Sequence, residues 1–539
     1  MEEKILKQPF YLQRLIFESN PSRLQLVEYE HSGGGTEFRI LVCRNHAFEP
    51  VASVLGAVLD YAGICPNWIY SDYDDTLSFS NIDANADLLI LWIDFSRYKN
   101  VNAENFVAER IKYLRTLFKK NILVAPFKAE NFNIKEPGVF ILDMAKIKNK
   151  LADKYIDERM ASFAGTSISS SACIECAREM GLKYIPALLK EGIKAVITDL
   201  DNTLYNGVLG EDGPEGLVIS EGHKKLQQAM KSLSEKGVFL CVASKNNLAD
   251  VEKLFEIRTD FILKRKDFSV VQASWQPKDE MIKQIAHSLN IHESACLFID
   301  DNIGEAVSVQ TAMPSLHTIL ACENAGLTAE TLLYYPGVFK LAESAEDVLR
   351  KSDAAANAER SDRLSQMSKE DYLKSLEMRL TIKKCEDDGI ARFCELAGKT
   401  NQFIFSYKRY TQHEVNVLLK DNNAAVLNIF LKDNLSDSGM IGGLVLKKYS
   451  QGAQLEELFI SCRALGRSIE DIMIFSALAY GMELLKASKL RINFVKGERN
   501  EPACSFAQNN LKEYLKDFSE FLHPEKQSLK QSFITISKD

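Results

Sequence analysis

The apolar run Ala195–Ile197 stops at Asp199-Leu-Asp-Asn-Thr203, and two later runs stop on similar chemistry: FLCVAS at Ser244, and LFIDDN at Asp300 and Asp301. Short apolar runs without alternation are strands buried on both faces, and such strands belong to parallel sheets covered by helices. The spacers agree. Helical patterns such as Glu221–Lys236 lie between the runs, and this one closes at Gly237, where a helix end favours glycine. A doubly wound sheet brings the last residue of each strand to its carboxyl edge, where open α/β folds bind ligands. Asp199 and Asp201 sit two apart on an extended chain, so their carboxylates can share one face and a divalent cation. A strand ending in a polar turn is the bland reading of the same pentapeptide.

A chain of 539 residues exceeds one core, and at ~150 residues per domain it holds about three or four. The 66 basic and 74 acidic residues are interspersed and leave a formal −8, which excludes the basic footprint of a nucleic-acid binder. The opening MEEKILKQPFYLQRLIFESN lacks a basic segment followed by an apolar one, and no later stretch reaches ~18 apolar residues. A cytoplasmic protein without membrane partners is expected. Eleven scattered cysteines indicate reduced thiols, and Cys173 and Cys176, with no second pair nearby, read as helix residues rather than a zinc site.

Four segments follow from the patterning. Residues 1–165 form an α/β domain, with strands at FRILVCR and DLLILWIDF around the helix of FEPVASVLGAVLDYAG. In its first turn, CRNHAFEP, Asn45 and His46 are the only candidates for binding, and a lone loop histidine is more often solvated surface. Residues 180–342 form the second α/β domain, with strands at AVIT, FLCVAS, FILK and LFID. Residues 343–377, charged and Ala-rich, read as a helical connector. Residues 378–539 place AAVLNIFLK, GMIGGLVLKKY, QLEELFISC and KLRINFV in hairpin-like succession around one long apolar helix.

The order D-x-D-x-T, then Ser244, then Lys278 in WQPK, then Asp300-Asp301 resembles the haloacid dehalogenase (HAD) superfamily. Neither interval that receives a cap in that superfamily has room for a large one here, so the site is open. LDNTLYNGVLGEDGPEGLVISEGHKKLQ, ASKNN, WQPK and FIDDN, with KTNQFIFSYKRYT, DSGMIGGLV and LEELFISCRALGRSIED farther on, resemble the FkbH-type proteins over most of the chain. The first 165 residues match more loosely, in the outline of a degenerate SGNH-hydrolase-like domain. The resemblance implies that Asp199 is a nucleophile forming an aspartyl-phosphate with Mg²⁺. Asp201 is the acid and base, its own metal contact coming through the backbone carbonyl. Ser244 and Lys278 neutralise the phosphoryl oxygens, and Asp300 and Asp301 complete the metal shell, with the direct ligand left open. Tyr205-Asn206 stands where the family pattern has Trp-Gly.

Near the C-terminus, Arg463-Ala-Leu-Gly466-Arg467-Ser468 follows a strand and opens a helix. Such a turn is a phosphate cradle, and it resembles the pyrophosphate turn of GNAT acetyltransferases, with Ser468 replacing the final small residue. Coenzyme A or the phosphopantetheine arm of a carrier would fit it. Cys462, one residue earlier, is either an activated thiolate or a buried strand cysteine, and the sequence leaves both open. FkbH-type proteins imply transfer of a glyceryl unit from 1,3-bisphosphoglycerate to an acyl carrier protein. The alternative is a phosphatase of a sugar phosphate or polysaccharide-assembly intermediate with an accessory acyl-CoA-binding domain.

Overall fold

Three sheets organise the computed structural model, which describes residues 8–17, 22–30, 34–99, 101–129, 132–341, 356, 359–360, 363, 367–461, 464–465, 467, 469–497, 499–521 and 534–538. The chain divides into two units: Met1–Ile285 with His292–Glu343, and Ala286–Ile291 with Ser344–Asp539. The first holds two parallel sheets and the second a mixed one, a multidomain α/β architecture.

The first sheet contains β1 (Thr36–Arg44), β2 (Ile64–Tyr73), β3 (Leu88–Asp94), β4 (Asn121–Phe127) and β5 (Val139–Ile141), ordered β2-β1-β3-β4-β5 and parallel throughout. Every residue of β3 is buried, as its unbroken apolar run requires. The patterning does not show β2. It is an edge strand of mixed exposure carrying Pro66, which an edge tolerates.

The second sheet contains β6 (Ala195–Thr198), β7 (Phe239–Ser244), β8 (Val270–Ala273), β9 (Cys296–Asp300) and β10 (His317–Leu320), ordered β10-β9-β6-β7-β8, again parallel. FILK, expected as a strand, is not one. The backbone N–H groups of Ile262 and Leu263 donate to Gln227 Oε1 instead of a neighbouring strand, and VVQA supplies β8. The helix Glu221–Glu235 starts at Ser220, whose hydroxyl and the His223 ring cap each other's backbone. Its Gly222 meets Gly326 of the helix Ala325–Tyr334 so closely that a Cβ would lie 2.7 Å from the Gly326 nitrogen. Cys173 and Cys176 are buried, unbridged helix residues.

The helix Gln8–Phe17 reaches the outer edge of the second sheet. Gln13 donates to the Leu320 carbonyl at 2.8 Å and accepts from the Leu320 N–H at 3.1 Å, so its amide covers the open edge of β10. Arg178 pairs with Glu330 at 2.7 Å, Tyr334 donates to Glu179 at 2.7 Å, and the Lys183 ammonium lies 3.4 Å from the Tyr334 ring centre.

In the second unit most of the expected connector lies outside the described residues, which include the helix Lys369–Ser375. The third sheet contains β11 (Met378–Lys384), β12 (Ala424–Lys432), β13 (Asp437–Tyr449), β14 (Gly452–Ile460), β15 (Lys489–Ile492), β16 (Ser519–Glu520) and β17 (Ile534–Lys538), ordered β16-β15-β14-β13-β12-β11-β17. The succession β11 to β14 is antiparallel, but β15 is parallel to β14, because the buried helix Glu470–Leu485 carries the chain across between them. β14 and β15 pair only from Ala453 to Leu455, and beyond that Phe403–Phe405 joins β14, with Phe405 N–H on Leu458 O at 3.0 Å. Among the described residues no helix is long and apolar enough to cross a membrane.

Candidate active site

The carboxyl edge of the second sheet collects the residues expected there. β6 ends beside β9, with Asp199 N–H donating to Ile299 O at 2.9 Å, so Asp199 and Asp300 leave neighbouring strands side by side. Asp199, Asp300 and Asp301 each present a carboxylate oxygen within 4.8 Å of the others. Lys278, at the start of the helix Lys278–Ser288, bridges two of them, reaching Asp199 Oδ2 at 2.6 Å and Asp300 Oδ2.

These groups are out of water: Asp199 is 7% exposed, Lys278 3% and Asp300 0%. Burial lifts the Asp300 carboxyl to about 6 against the pull of Lys278, and Asp199 adds to the rise. Burial and then the Asp199 charge raise Asp301 as well. For Lys278 burial works the other way, but Asp199 and Asp300 hold its ammonium above the usual range. Asp199 Oδ1 is buried without a hydrogen-bond partner among the described residues. An orphaned buried oxygen on one of three clustered carboxylates suits a hard cation. Formally, three carboxylates and one ammonium leave −2, which one divalent ion cancels.

Asp201 is turned differently. Its Oδ1 accepts from Tyr205 OH at 2.6 Å and Leu209 N–H at 3.1 Å, and its Oδ2 accepts from Asn246 Nδ2 at 3.0 Å. Asn246 also donates to Ser244 Oγ at 3.1 Å, so one amide ties Oδ2 of Asp201 to the hydroxyl expected to meet phosphate. The loop making this possible turns at Asn202, in the left-handed region at φ +52°, with Asn202 Oδ1 accepting from Gly207 N–H at 3.0 Å. Tyr205, noted in the sequence only as a departure, is fully buried, and burial with the Asp201 charge pushes its hydroxyl far above the usual phenol range. Asn246 and Tyr205 are the residues sequence reasoning did not assign. The ASKNN motif held the signal for one of them.

Two other expectations fare differently. Cys462, Arg463, Gly466 and Ser468 lie outside the described residues. Arg467, expected to face a phosphate, is instead buried, donating to Asp433 Oδ2 at 3.1 Å and Ser438 Oγ at 2.8 Å beside Arg360, which holds the same carboxylate. A guanidinium fixed on an interior carboxylate does not reach into solvent for a ligand. His46, expected as solvated surface, is 1% exposed and stacked between Trp92 and Phe127, with Nδ1 3.0 Å from Thr166 Oγ1. Burial, then Arg97 and Lys128, lower its pKa to about 3.

No protein-family model matches the chain, and no curated protein does. Among solved structures it is similar to the N-terminal part of BF1531 from Bacteroides fragilis, a structure containing a phosphatase domain and complexed with Mg. That match has 18% identity and a TM-score of 0.47, covering 62% of this chain and 99% of that one. A protein designated a streptothricin acetyltransferase from Bacillus anthracis str. Ames, in complex with acetyl coenzyme A, gives 17% identity and a TM-score of 0.17, covering 24% of this chain and 79% of that one.

Proposed function

We propose that the middle domain is a Mg²⁺-dependent HAD-type phosphatase, within a chain that loads a glyceryl unit from 1,3-bisphosphoglycerate on an acyl carrier protein as FkbH-type proteins do. The observation that carries the phosphatase half is Asp199. One of its oxygens is neutralised by Lys278 and the other is buried and unpartnered, on a residue clustered with the carboxylates of Asp300 and Asp301. The loading half rests on the family motifs along the chain and on the open site.

The residues fit Mg²⁺. Asp199 and Asp301 are the side chains to hold it, with the Asp201 carbonyl; the Asp300 carboxylate already accepts from Lys278 and from Asn302 N–H at 2.8 Å, whereas the bond on Asp301 is a 3.5 Å contact from Thr203. When bound, the ion polarises the phosphoryl group and offsets the charge of the two carboxylates. The Asp199 carboxylate attacks phosphorus, the bond between phosphorus and the bridging oxygen breaks, and that oxygen leaves on the substrate carbon with the electron pair and takes a proton from Oδ2 of Asp201. Water then cleaves the aspartyl-phosphate, returning a proton to Asp201. Lys278 and Ser244 stabilise charge on the phosphoryl oxygens. Loading is a separate step: the carrier thiol attacks the acyl-phosphate carbonyl carbon, a C–S bond replaces C–O, and phosphate leaves with the electron pair and takes up the thiol proton.

Incubating the full chain with Mg²⁺, 1,3-bisphosphoglycerate and a holo carrier protein should add glyceryl mass to the carrier. No mass gain with any carrier from the same genome counts heavily against loading. Phosphate release without a carrier, from a narrow set of sugar phosphates, supports the accessory-domain alternative.

A further inference from the structure

Trp275 stands in the segment between β8 and Lys278, and its side chain is 72% exposed, an unusual condition for the largest apolar residue. It is nonetheless held in place, because its indole N–H donates to Asn247 Oδ1 at 3.4 Å. Asn247 follows Asn246, the residue that touches both Asp201 and Ser244. The indole is therefore tethered to the residue next to Asn246, which touches Asp201 and Ser244 of the candidate site. Leu248, next in the chain, is also exposed.

We infer that Trp275 is a specificity-determining residue that packs against the phosphopantetheine arm on which a carrier protein presents its phosphorylated acyl group. This inference rests on the carrier reading above. Its own warrant is chemical mismatch. A free three-carbon phosphate is polar along its whole length and has nothing with which to cover an indole. A pantetheine arm has a gem-dimethyl group and two amide planes, and both pack on indole faces. The chain between β6 and β7 is a loop with the short helix Leu209–Gly216 and the helix Glu221–Glu235, with no inserted cap domain, and Trp275 stays exposed to solvent.

Trp275 is one of three tryptophans, and the other two differ from it: Trp92 is buried, and Trp68 packs on Phe48 in the first sheet. Emission from the full-length Asp199→Asn protein, titrated with holo carrier, apo carrier and coenzyme A, reads the contact without turnover. A saturable blue shift with holo carrier and coenzyme A, absent with apo carrier and absent in the Trp275→Phe, Asp199→Asn protein, supports the inference. No shift, or an equal shift with apo carrier, overturns it. In loading assays Trp275→Ala should raise the KM for holo carrier about tenfold, the scale of an aromatic anchor, and Trp275→Phe should recover much of that. Loading by Trp275→Ala at wild-type efficiency defeats this inference alone. Absence of loading by the wild type defeats the carrier reading, while the titration still decides whether the indole meets the arm.

Discussion

At the scale of single residues, the site is a problem of buried charge that Lys278 solves in part. The ammonium sits between Asp199 and Asp300, and removing one partner of a buried ion pair costs more than the pair itself contributes. Lys278→Met should abolish phosphate release and lower stability by about 3–5 kcal/mol in Mg²⁺-free buffer, because two neighbouring carboxylates lose their counter-charge. Urea unfolding with and without Mg²⁺ checks this. Millimolar Mg²⁺ should return part of the loss, and a variant as stable as wild type without Mg²⁺ would show that the contact is not structural. Tyr205 acts one step further out. Tyr205→Phe leaves Asp201 Oδ1 with Leu209 N–H alone, so kcat should fall about tenfold, the effect of a misplaced acid–base group, with little change in KM. A change confined to KM would assign Tyr205 to substrate binding. Asp199, Ser244, Asp300 and Asp301 were legible in the sequence because a parallel sheet brings strand ends to one edge whatever the loops do, and Lys278, at a helix start, was legible only from the WQPK motif. The role of Tyr205 was not, since a phenol four residues from an aspartate gives no sign that the chain will turn back on itself at Asn202.

At the scale of elements, the strands read correctly were those buried on both faces, such as β3, β6, β7 and β9, whose apolar runs leave no other reading. The edge strands β2 and β8 are partly exposed and were missed, while FILK had the composition of a strand but finds its hydrogen bonds on a helix side chain. The turn after β1 was misjudged for a related reason: burial of His46 depends on aromatic residues from β3 and β4, far away in sequence. That burial has a consequence for pH. The unfolded imidazole titrates near 6.5 and the folded one at about 3, so between those values the unfolded chain binds more protons. Stability is full above 6.5 and falls as pH drops toward 3, by on the order of 2 kcal/mol between pH 7 and pH 5. His46→Phe keeps the ring stack and removes the titration. Its urea midpoint should therefore decline less than wild type over that interval, and parallel declines would exonerate His46.

At the scale of the whole first unit, two parallel sheets that look separable in sequence are joined by contacts no local pattern announces. Gln13 supplies both a donor and an acceptor to Leu320, standing in for the missing neighbour of β10, while Arg178, Glu179 and Lys183 grip the helix Ala325–Tyr334 through Glu330 and Tyr334. Such contacts make the first sheet part of the environment that stabilises the second. Gln13→Ala would leave the Leu320 N–H and carbonyl without these partners, at about 1–3 kcal/mol for each group kept from water. If the sheets are one cooperative body, the slowest-exchanging amides of β3 and of β6 should share a single opening free energy, and Gln13→Ala should lower both equally. Hydrogen exchange followed by mass spectrometry distinguishes the cases. Protection falling in β6, β9 and β10 while β3 stays unchanged would mean that the sheets open independently, and that Gln13 only seals an edge.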